Sequence, residues 1–216
     1  MKIVIISATD FEVTQAKTQI KSNKNSAISF AVTGVGMLAT AVNLSKIIYQ
    51  HQPNLIIQAG IAGCFDVAIP LGQTMLVSQD FLGDIGVAEN KKWKDIFDLG
   101  LIKPNIKPFT KKGLINPQIQ QYSYLQLPTV NSVTVNQITT NQNHIQQLIK
   151  KYNPTLESME GAALHYVCNT YNIPYLQIRS ISNYIGERDK TKWNIPLAIN
   201  NLNKIILQVI GEASSK

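Results

Sequence analysis

Two hydrophobic patterns alternate along the chain. Short continuous apolar runs rich in isoleucine and valine are typical of strands buried in a sheet, and apolar residues spaced three or four apart are typical of helices that pack on it. The continuous runs predict strands at residues 2–8, 27–33, 55–58, 74–79, 129–135, 155–159 and 175–182. The spaced pattern predicts helices at residues 11–21, 37–50, 142–151, 160–171 and 195–210.

This alternation of strands and helices predicts an α/β fold. We expect residues 1–216 to form a single domain, a three-layer sandwich with a mixed central β-sheet. No period of about 20–50 residues recurs, which excludes solenoids and propellers. In open sheets of this kind ligands bind where strands end, so the strand ends are the places where chemistry is expected.

Residues 83–129 interrupt the regular pattern. They gather prolines and lysine pairs and show no clear period. Loops of this length are unusual in compact domains and are often functional. We therefore expect a long, partly ordered excursion that covers the ligand site or an interface.

The composition excludes several classes of protein. A hydrophobic fraction of 44% and a charged fraction of 15% are typical of a soluble globular chain and not of a disordered one. The apolar start reaches Asp10 and Glu12 too soon for a signal peptide, and no uncharged apolar run approaches the roughly 18 residues of a membrane helix. We therefore expect a cytoplasmic protein that does not interact with a membrane.

Charge and cysteine usage narrow the choice further. The net charge of +7 comes mainly from lysines, whose pairs at 91–92, 111–112 and 150–151 are scattered, so we predict a solvated basic surface and no nucleic-acid partner. Cys64 and Cys168 are too few for a disulfide framework and lack partners for a metal site, so neither a metal nor another cofactor is predicted. We expect Cys168 to be buried in a helix. Cys64, after a glycine-rich turn, is interpreted as a packing residue, with ligand contact as the alternative.

Glutamates lie where predicted strands turn into helices. Glu12 follows the first strand, where free backbone N–H groups stabilise a carboxylate, although such an acid can also serve only the helix dipole. Asp10 beside it is interpreted as the N-cap. Glu160, between Met159 and a run of small residues, requires a polar partner. The vicinal hydroxyls of a ribose would provide one, and the alternative is an ordinary capping glutamate. Glu157 is interpreted as a solvated acid, or as one that supports the site from behind.

An amide completes this set of polar groups. Asn183 follows an apolar run at the end of a predicted strand, where a simple turn asparagine is the alternative. Gly60 and Gly63 would let the backbone approach a ligand closely, although two glycines alone are weak evidence. A carboxylate that activates water, one that holds sugar hydroxyls and an amide that binds a purine would together cleave an N-glycosidic bond.

Five segments carry a resemblance to a known family, namely residues 1–13, 34–36, 58–63, 158–162 and 179–183. They resemble the purine nucleoside phosphorylase and nucleosidase superfamily over nearly the whole chain except its poorly patterned middle. Within it, residues 135–137, 159–163 and 183–190 most closely resemble the futalosine hydrolases, which remove hypoxanthine from futalosine in an alternative menaquinone pathway. The resemblance implies a nucleoside phosphorylase-like fold, a small-molecule nucleoside substrate and a homo-oligomer, often a dimer.

The resemblance also implies roles for individual residues. Glu12 matches the acid that activates water, and Met159 and Glu160 match the pair at the ribose. Asn183 matches the residue at the purine N7 edge, which is aspartate in nucleosidases that act on adenine nucleosides. Because an asparagine amide can donate to a 6-oxo group and accept from N7–H, Asn183 implies hypoxanthine and not adenine.

Other substrate contacts follow from the same resemblance. Gly60, Ile61 and Val135 are expected at the substrate. Arg188, in the loop after Asn183, would pair with the benzoate of futalosine, and the alternative is a loop ion pair with a neighbouring acid.

Three other functions are kept as alternatives. A phosphorylase is disfavoured because phosphate sites usually use arginines or a glycine-rich anion nest and no arginine precedes Arg179, although backbone nests and lysines could still bind phosphate. A nucleosidase for methylthioadenosine, S-adenosylhomocysteine or aminofutalosine is disfavoured by Asn183. A ligand-binding protein without catalysis is disfavoured because both Glu12 and Glu160 are retained.

Overall fold

The structure is a computed structural model that describes residues 1–22, 27–90 and 92–214. The strands in these ranges are β1 (Ile3–Ser7), β2 (Ile28–Val32), β3 (Leu55–Cys64), β4 (Thr74–Leu82), β5 (Gly86–Glu89), β6 (Lys92–Asp95), β7 (Leu114–Ile115), β8 (Thr129–Thr134), β9 (Leu156–Ser158) and β10 (Tyr175–Tyr184). The helices are α1 (Thr14–Ser22), α2 (Met37–His51), α3 (Gln142–Tyr152), α4 (Gly161–Tyr171) and α5 (Ile195–Ser214). Every strand and helix predicted from the hydrophobic pattern is confirmed, with ends that shift by a few residues.

Within the described ranges, eight strands form one mixed sheet in the order β10-β4-β8-β9-β3-β1-β2, with β7 beside β4. Strand β10 also pairs with β3, so that β3, β9, β8, β4 and β10 form a closed ring. The β3–β10 and β4–β8 pairs are parallel, whereas β3–β9 and β4–β10 are antiparallel. The predicted α/β fold with a mixed central sheet is confirmed. The closure into a ring was not predicted.

Helices cover both faces of the sheet. All side chains of β1 are buried, and its apolar residues 3–6 alternate between two apolar clusters. On one face Ile5 and Ile57 pack with Leu202 of α5, and on the other Ile6 packs with Leu44 of α2. Each fully buried side chain of this size contributes about 1.5–3 kcal/mol to stability. No helix in the described part of the chain is long and apolar enough to cross a membrane.

Strand β3 is longer than predicted. Residues 59–63, which we expected to form a glycine-rich turn, continue the strand to Cys64 because β10 pairs along its length and β9 pairs with its end. Cys64 is therefore a buried strand residue and does not follow a turn. Cys168 is buried in α4, as predicted. As a consequence, Gly60 and Gly63 lie inside the sheet.

Residues 83–129 are more regular than predicted. Strands β5 and β6 form a two-stranded hairpin, β7 joins the main sheet, and Ile119–Leu125 is a 3-10 helix. Phe97, Phe109 and Leu114 bury part of the segment against Ala162 of α4. Among the described residues, none of this segment lines the cavity that opens where β1, β3, β9 and β10 end, so the expectation that it covers the site is wrong for a single chain. Its place at an interface stays a prediction.

Two of the paired lysines belong to an ion-pair cluster. Lys112 and Lys151 both contact the carboxylates of Asp95 and Asp98, and the Asp95 side chain is only 1% exposed. The distance from Lys151 Nζ to Asp95 Oδ2 is 3.0 Å. For these two lysines the prediction of a merely solvated surface is wrong, because the fold brings acids from a distant segment beside them. Lys91 lies outside the described residues.

Candidate active site

A cavity of about 330 Å³ opens where β1, β3, β9 and β10 end. It brings together most of the side chains predicted from the sequence, namely Glu12, Ile61, Met159, Glu160, Asn183 and Arg188. Val135 and Gly60 are not among its lining residues in the described part of the chain. Val135 is fully buried beside Gly83, and Gly60 lies behind the carboxylate of Glu12.

Glu12 is held by three donors at the end of the first strand. It closes a 3-10 turn, Asp10–Glu12, that precedes α1. Its Oε2 accepts from the backbone N–H of Thr9 at 3.0 Å and from the Thr9 hydroxyl at 3.1 Å, and its Oε1 accepts from the N–H of Ile61 at 3.2 Å. Burial raises the pKa of Glu12, while the charge of Arg179 and these backbone donors act against the rise. A buried carboxylate with a raised pKa suits a general base that works near neutral pH.

The turn that carries Glu12 is fastened by the last helix. Asn203 of α5, which is 1% exposed, donates from Nδ2 to the carbonyl oxygen of Glu12 at 2.8 Å. Its Oδ1 accepts from the N–H of Ala16 in α1 at 2.8 Å. One amide therefore joins the 3-10 turn, the helix after it and α5.

Glu160 faces the cavity from the start of α4. Its Oε1 accepts from the backbone N–H of Gly36 at 3.2 Å, and its Oε2 lies 3.4 Å from Nη1 of Arg179. Gly36 has a φ of 92°, a conformation that favours glycine and that directs its N–H towards the carboxylate. The side chain caps no N–H of its own helix. The alternative of an ordinary capping glutamate is therefore wrong.

Arg179 is the residue that sequence reasoning missed. It lies on β10, is 1% exposed, and donates from Nη2 to Oε1 of Gln58 at 3.0 Å and from Nη1 to the carbonyl oxygen of Ile61 at 3.4 Å. Its ion pair with Glu160 and its influence on Glu12 place one cation beside both carboxylates. An arginine in the middle of a long apolar strand was the available signal, because a buried charge requires a partner.

Asn183 lies on the cavity side of β10, opposite Gly63 of β3. Its Oδ1 accepts from the Ser182 hydroxyl at 2.9 Å, and its Nδ2 donates to the carbonyl oxygen of Tyr184 at 3.2 Å. A Cβ atom on Gly63 would stand 3.4 Å from this Nδ2. The amide is thus oriented by its chain neighbours, and each of its polar atoms keeps capacity for a further hydrogen bond.

Glu157 is buried, so its interpretation as a solvated acid is wrong. It is 4% exposed and belongs to the cavity wall, because β9 pairs with the end of β3 and faces inward there. Its Oε1 accepts from the backbone N–H of Thr139 at 3.1 Å, whereas its Oε2 has no hydrogen-bond partner among the described residues. Burial raises the pKa of this carboxyl.

Arg188 lies at the mouth of the cavity and is exposed. Its guanidinium carbon stands 5.3 Å from the ring centroid of Trp193, which is a cation–π distance. The neighbouring acid Glu187 pairs with Lys192. No ion pair of Arg188 occurs in the described ranges, so the predicted alternative of a loop salt bridge is not what holds this side chain.

The histidines lie outside the cavity lining. His165 is buried in α4, with Nδ1 2.8 Å from the carbonyl oxygen of Leu114 and 3.0 Å from the Tyr175 hydroxyl. Burial lowers its pKa to about 4, so it is neutral at physiological pH. In the described residues, no group of three or more histidine, cysteine or acidic side chains is arranged to hold a metal ion.

The arrangement has a clear chemical capacity. The carboxylates of Glu12 and Glu160 line the cavity together with Met159, and the buried guanidinium of Arg179 pairs with Glu160. An amide and a third carboxyl line the cavity from strands β10 and β9. Carboxylates bind vicinal hydroxyls and accept protons, whereas an amide both donates to and accepts from the edge of a heterocycle. A polyhydroxylated ring attached to a flat base fits this distribution of groups.

Comparison with known proteins points to the same chemistry. The chain is 22% identical over 233 residues to the 5'-methylthioadenosine/S-adenosylhomocysteine nucleosidase of Psychromonas ingrahamii, covering 98% of this chain and 99% of that protein. It is 22% identical over 191 residues to the futalosine hydrolase of Thermus thermophilus, covering 88% and 84%. The solved futalosine hydrolase of Helicobacter pylori superposes with a TM-score of 0.79 at 16% identity, covering 98% of each chain, which shows a shared fold.

The family itself is shown by a match over almost the full sequence. The model of the phosphorylase superfamily matches residues 2–211. This confirms the resemblance seen in the sequence and the prediction of an enzyme. The chain belongs to the phosphorylase superfamily.

Proposed function

We propose that this protein is a futalosine hydrolase, which cleaves the N-glycosidic bond of futalosine to release hypoxanthine. The observation that carries the proposal is Asn183, a neutral amide on the wall of a cavity that Glu12 and Glu160 also line, with the buried Arg179 paired to Glu160. The similarity to the Thermus thermophilus futalosine hydrolase supports the same substrate. The reaction would serve menaquinone biosynthesis.

Asn183 binds and stabilises the leaving purine base. As the C1′–N9 bond stretches, its electron pair moves to the purine and the ribose takes on oxocarbenium character. The Asn183 amide donates to the 6-oxo group and accepts from N7–H as the base gains its proton from solvent. Preorganised polar groups of this kind stabilise the charge that develops in the transition state.

The two buried glutamates act on the sugar and on the attacking water. Glu160, fixed by Gly36 and Arg179, accepts hydrogen bonds from the ribose hydroxyls, and Met159 packs on the apolar face of the ring. Glu12 orients a water molecule and takes its proton as the oxygen bonds to C1′. Positioned proton transfer typically contributes about 10²–10⁴-fold to the rate. Ile61 helps to position Glu12, the general base, by donating its backbone N–H to the Glu12 carboxylate.

The contacts and positions of the two arginines favour hydrolysis over phosphorolysis. The Arg179 guanidinium is buried, donates to Gln58, Ile61 and Glu160, and is not among the described residues that line the cavity, so it is held by protein acceptors and not presented to a phosphate. Arg188 lies at the rim and stacks on Trp193. Water is therefore the proposed nucleophile.

A nucleosidase for methylthioadenosine and S-adenosylhomocysteine is the second candidate. It is supported by the Psychromonas ingrahamii relative, which is as similar as the futalosine hydrolase and is covered more completely. The two candidates differ in the base, hypoxanthine or adenine, and Asn183 favours hypoxanthine because an amide oxygen facing N7 cannot act as the proton donor that an aspartic acid would be.

The test is direct. The purified chain is incubated with futalosine, aminofutalosine and methylthioadenosine, each with and without phosphate, and the free base is quantified by chromatography. We expect phosphate-independent release of hypoxanthine from futalosine, at a kcat/KM at least about tenfold above that for either adenine nucleoside. Faster release of adenine would replace this proposal with the second candidate, and a requirement for phosphate would identify a phosphorylase.

A further inference from the structure

The side chain of Asn203 interrupts the ladder of hydrogen bonds at the start of α1. In a regular α-helix the N–H of each residue donates to the carbonyl oxygen four positions earlier. Here the Ala16 N–H donates instead to Oδ1 of Asn203 at 2.8 Å, and Nδ2 of Asn203 donates to the carbonyl oxygen of Glu12 at 2.8 Å. The next bond, from the Lys17 N–H to the carbonyl oxygen of Val13, is regular at 2.9 Å. The Asn203 amide therefore replaces a single helical hydrogen bond.

The orientation of this amide is fixed by its surroundings. Asn203 is 1% exposed, and its Nδ2 also donates to the carbonyl oxygen of Ile199, one turn earlier in α5, at 2.7 Å. A reversed amide would place its oxygen against two carbonyl oxygens and its NH2 against the N–H of Ala16. Only one arrangement satisfies these backbone groups, so the bridge between the Glu12 carbonyl and the Ala16 N–H has a single geometry.

The bridge keeps the Glu12 turn distinct from α1. Val13, which lies between them, has φ −122° and ψ 4°, and this is not a helical conformation. Without the amide, the Glu12 carbonyl and the Ala16 N–H would close directly on each other, since buried backbone groups without partners are unfavourable. Closure requires Val13 to adopt helical dihedral angles. This change rotates Glu12 relative to the donors of Thr9 and Ile61 that hold its carboxylate.

We propose that Asn203 is a positioning residue for the general base, because it holds α1 open at one bond and so keeps the Glu12 carboxylate directed into the cavity. The inference rests on the proposed function, since it assumes that Glu12 activates the attacking water. Asn203 is not among the described residues that line the cavity, so it acts on the reaction only through Glu12. A displacement of about 1 Å at a reacting group can lower a rate about 100-fold.

Asn203→Leu removes the bridge and keeps a side chain of similar size. We expect kcat to fall about 100-fold, whereas KM should hardly change because Glu160 and Asn183 contact the substrate from other elements. Asn203→Ala, which places the best helix former in α5, should lower kcat in the same way. The matched control is Asn201→Leu in the same helix. It loses a hydrogen bond to the carbonyl oxygen of Gly72, which does not line the cavity, and should leave kcat and KM unchanged.

A double-mutant cycle with Glu12→Gln shows whether Asn203 acts through the general base. If it does, Asn203→Leu costs about 100-fold in wild type and almost nothing in the Glu12→Gln background, where the base is already lost. If Asn203 only supports folding, the two losses multiply. The cycle is measured with the nucleoside that the wild-type enzyme cleaves fastest, and thermal unfolding of each variant checks that it is folded.

A separate measurement needs no variant. NMR spectroscopy detects, through the coupling across the hydrogen bond, which carbonyl carbon accepts from the Ala16 N–H. We expect the side-chain carbonyl of Asn203. Coupling to the backbone carbonyl of Glu12 would overturn the inference, as would wild-type kcat in a folded Asn203→Leu or Asn203→Ala, or losses that multiply in the cycle.

The outcomes separate this inference from the proposed function. If wild type cleaves no nucleoside, or if Glu12→Gln keeps full turnover, the proposed function fails and the catalytic role of Asn203 fails with it. If Glu12→Gln loses turnover while both Asn203 variants keep it, only the role of Asn203 is refuted and the general base stands.

Discussion

Gly60 and Arg179 face each other across β3 and β10, and a Cβ atom on Gly60 would stand 2.3 Å from Nη1 of Arg179 and 3.1 Å from Oε1 of Glu12. The absence of a side chain at Gly60 thus allows the guanidinium to lie between the two carboxylates. We predict that Gly60→Ala lowers kcat/KM for the nucleoside at least about 100-fold and lowers the free energy of unfolding by about 1–3 kcal/mol.

Urea denaturation and base-release assays measure both effects. The matched control is Gly211→Ala in α5, where a Cβ atom would meet nothing within 4 Å. That change should leave activity unaltered and stability equal or slightly higher. Wild-type activity in Gly60→Ala would contradict the close packing of Arg179.

The pH dependence of turnover should report Glu12. Only the ionised carboxylate can accept a proton from water, so kcat rises as pH increases through the pKa of Glu12. Because burial raises that pKa above 4.5, the rise falls at higher pH than for an exposed glutamate. In Glu12→Gln we expect kcat to drop about 10²–10⁴-fold and the acid limb of the profile to disappear. Persistence of the limb in the variant would assign it to another group.

Asn183→Asp should move the preference of the site towards adenine. A carboxylic acid can donate to N7 and accept from a 6-amino group, whereas its carboxylate repels a 6-oxo oxygen. We predict that kcat/KM for futalosine falls about 10–100-fold while that for aminofutalosine rises. The control Asn183→Ala removes both interactions and should lower both values. A parallel loss with both substrates in Asn183→Asp would show that residue 183 does not read the base.

Arg188→Ala tests the contact with the benzoate of futalosine. Arg188 is exposed at the cavity mouth, where its guanidinium can reach the benzoate of a bound substrate. Because the variant loses this charge-assisted hydrogen bond, KM for futalosine should rise about 5–30-fold. Inosine lacks the benzoate, and its KM should hardly change. Lys190→Ala, which removes a charge two positions away, is the control. Equal effects of Arg188→Ala on both nucleosides would refute the contact.

Asp80 makes stability depend on pH. It lies on β4, is 0% exposed, and accepts from the Thr134 hydroxyl at 2.8 Å and from Nε2 of Gln177 at 3.3 Å. Burial raises its pKa from 3.8 to about 6, so the folded state holds this proton more tightly than the unfolded state does. Ionisation therefore destabilises the fold progressively as pH rises from about 4 to about 6, by roughly 3 kcal/mol in full.

Asp80→Asn removes this contribution. An asparagine can donate to the unpaired Oε1 of Gln177 after that amide turns, while it still accepts from Thr134. We expect the difference in unfolding free energy between variant and wild type to grow in favour of the variant between pH 4 and pH 6 and to level off above it. Denaturation at several pH values measures the difference, and a constant difference would contradict a raised pKa.

The hydrophobic pattern was sufficient for the elements of the fold, because strand and helix periods are local properties of the chain. It was insufficient for the pairing of strands. The three-residue strand β9 pairs with both β8 and the end of β3, and this pairing turns Glu157 into the cavity. Nothing near Glu157 in the sequence indicates which strand it will face.

The same contrast between local sequence and long-range pairing explains which residues of the site were predicted. Glu12, Glu160 and Asn183 were found because each stands at a strand end, where local sequence predicts exposure to a ligand. Arg179 stands inside a strand, and its importance depends on Gln58 and Glu160, which the chain brings beside it from two distant segments. The prediction for Cys64 failed because local sequence was misleading. The glycines before Cys64 indicated a turn, but pairing with β10 and β9 keeps this segment extended as part of β3.

The Asn203 contact makes the conformation of the Glu12 turn depend on a residue that is synthesised much later. The residue that fastens the carbonyl of Glu12 comes 191 positions later in the chain. A nascent polypeptide that has not yet produced α5 lacks this contact, even when the earlier strands have assembled. The Glu12 turn acquires this hydrogen bond only after residue 203 has been synthesised.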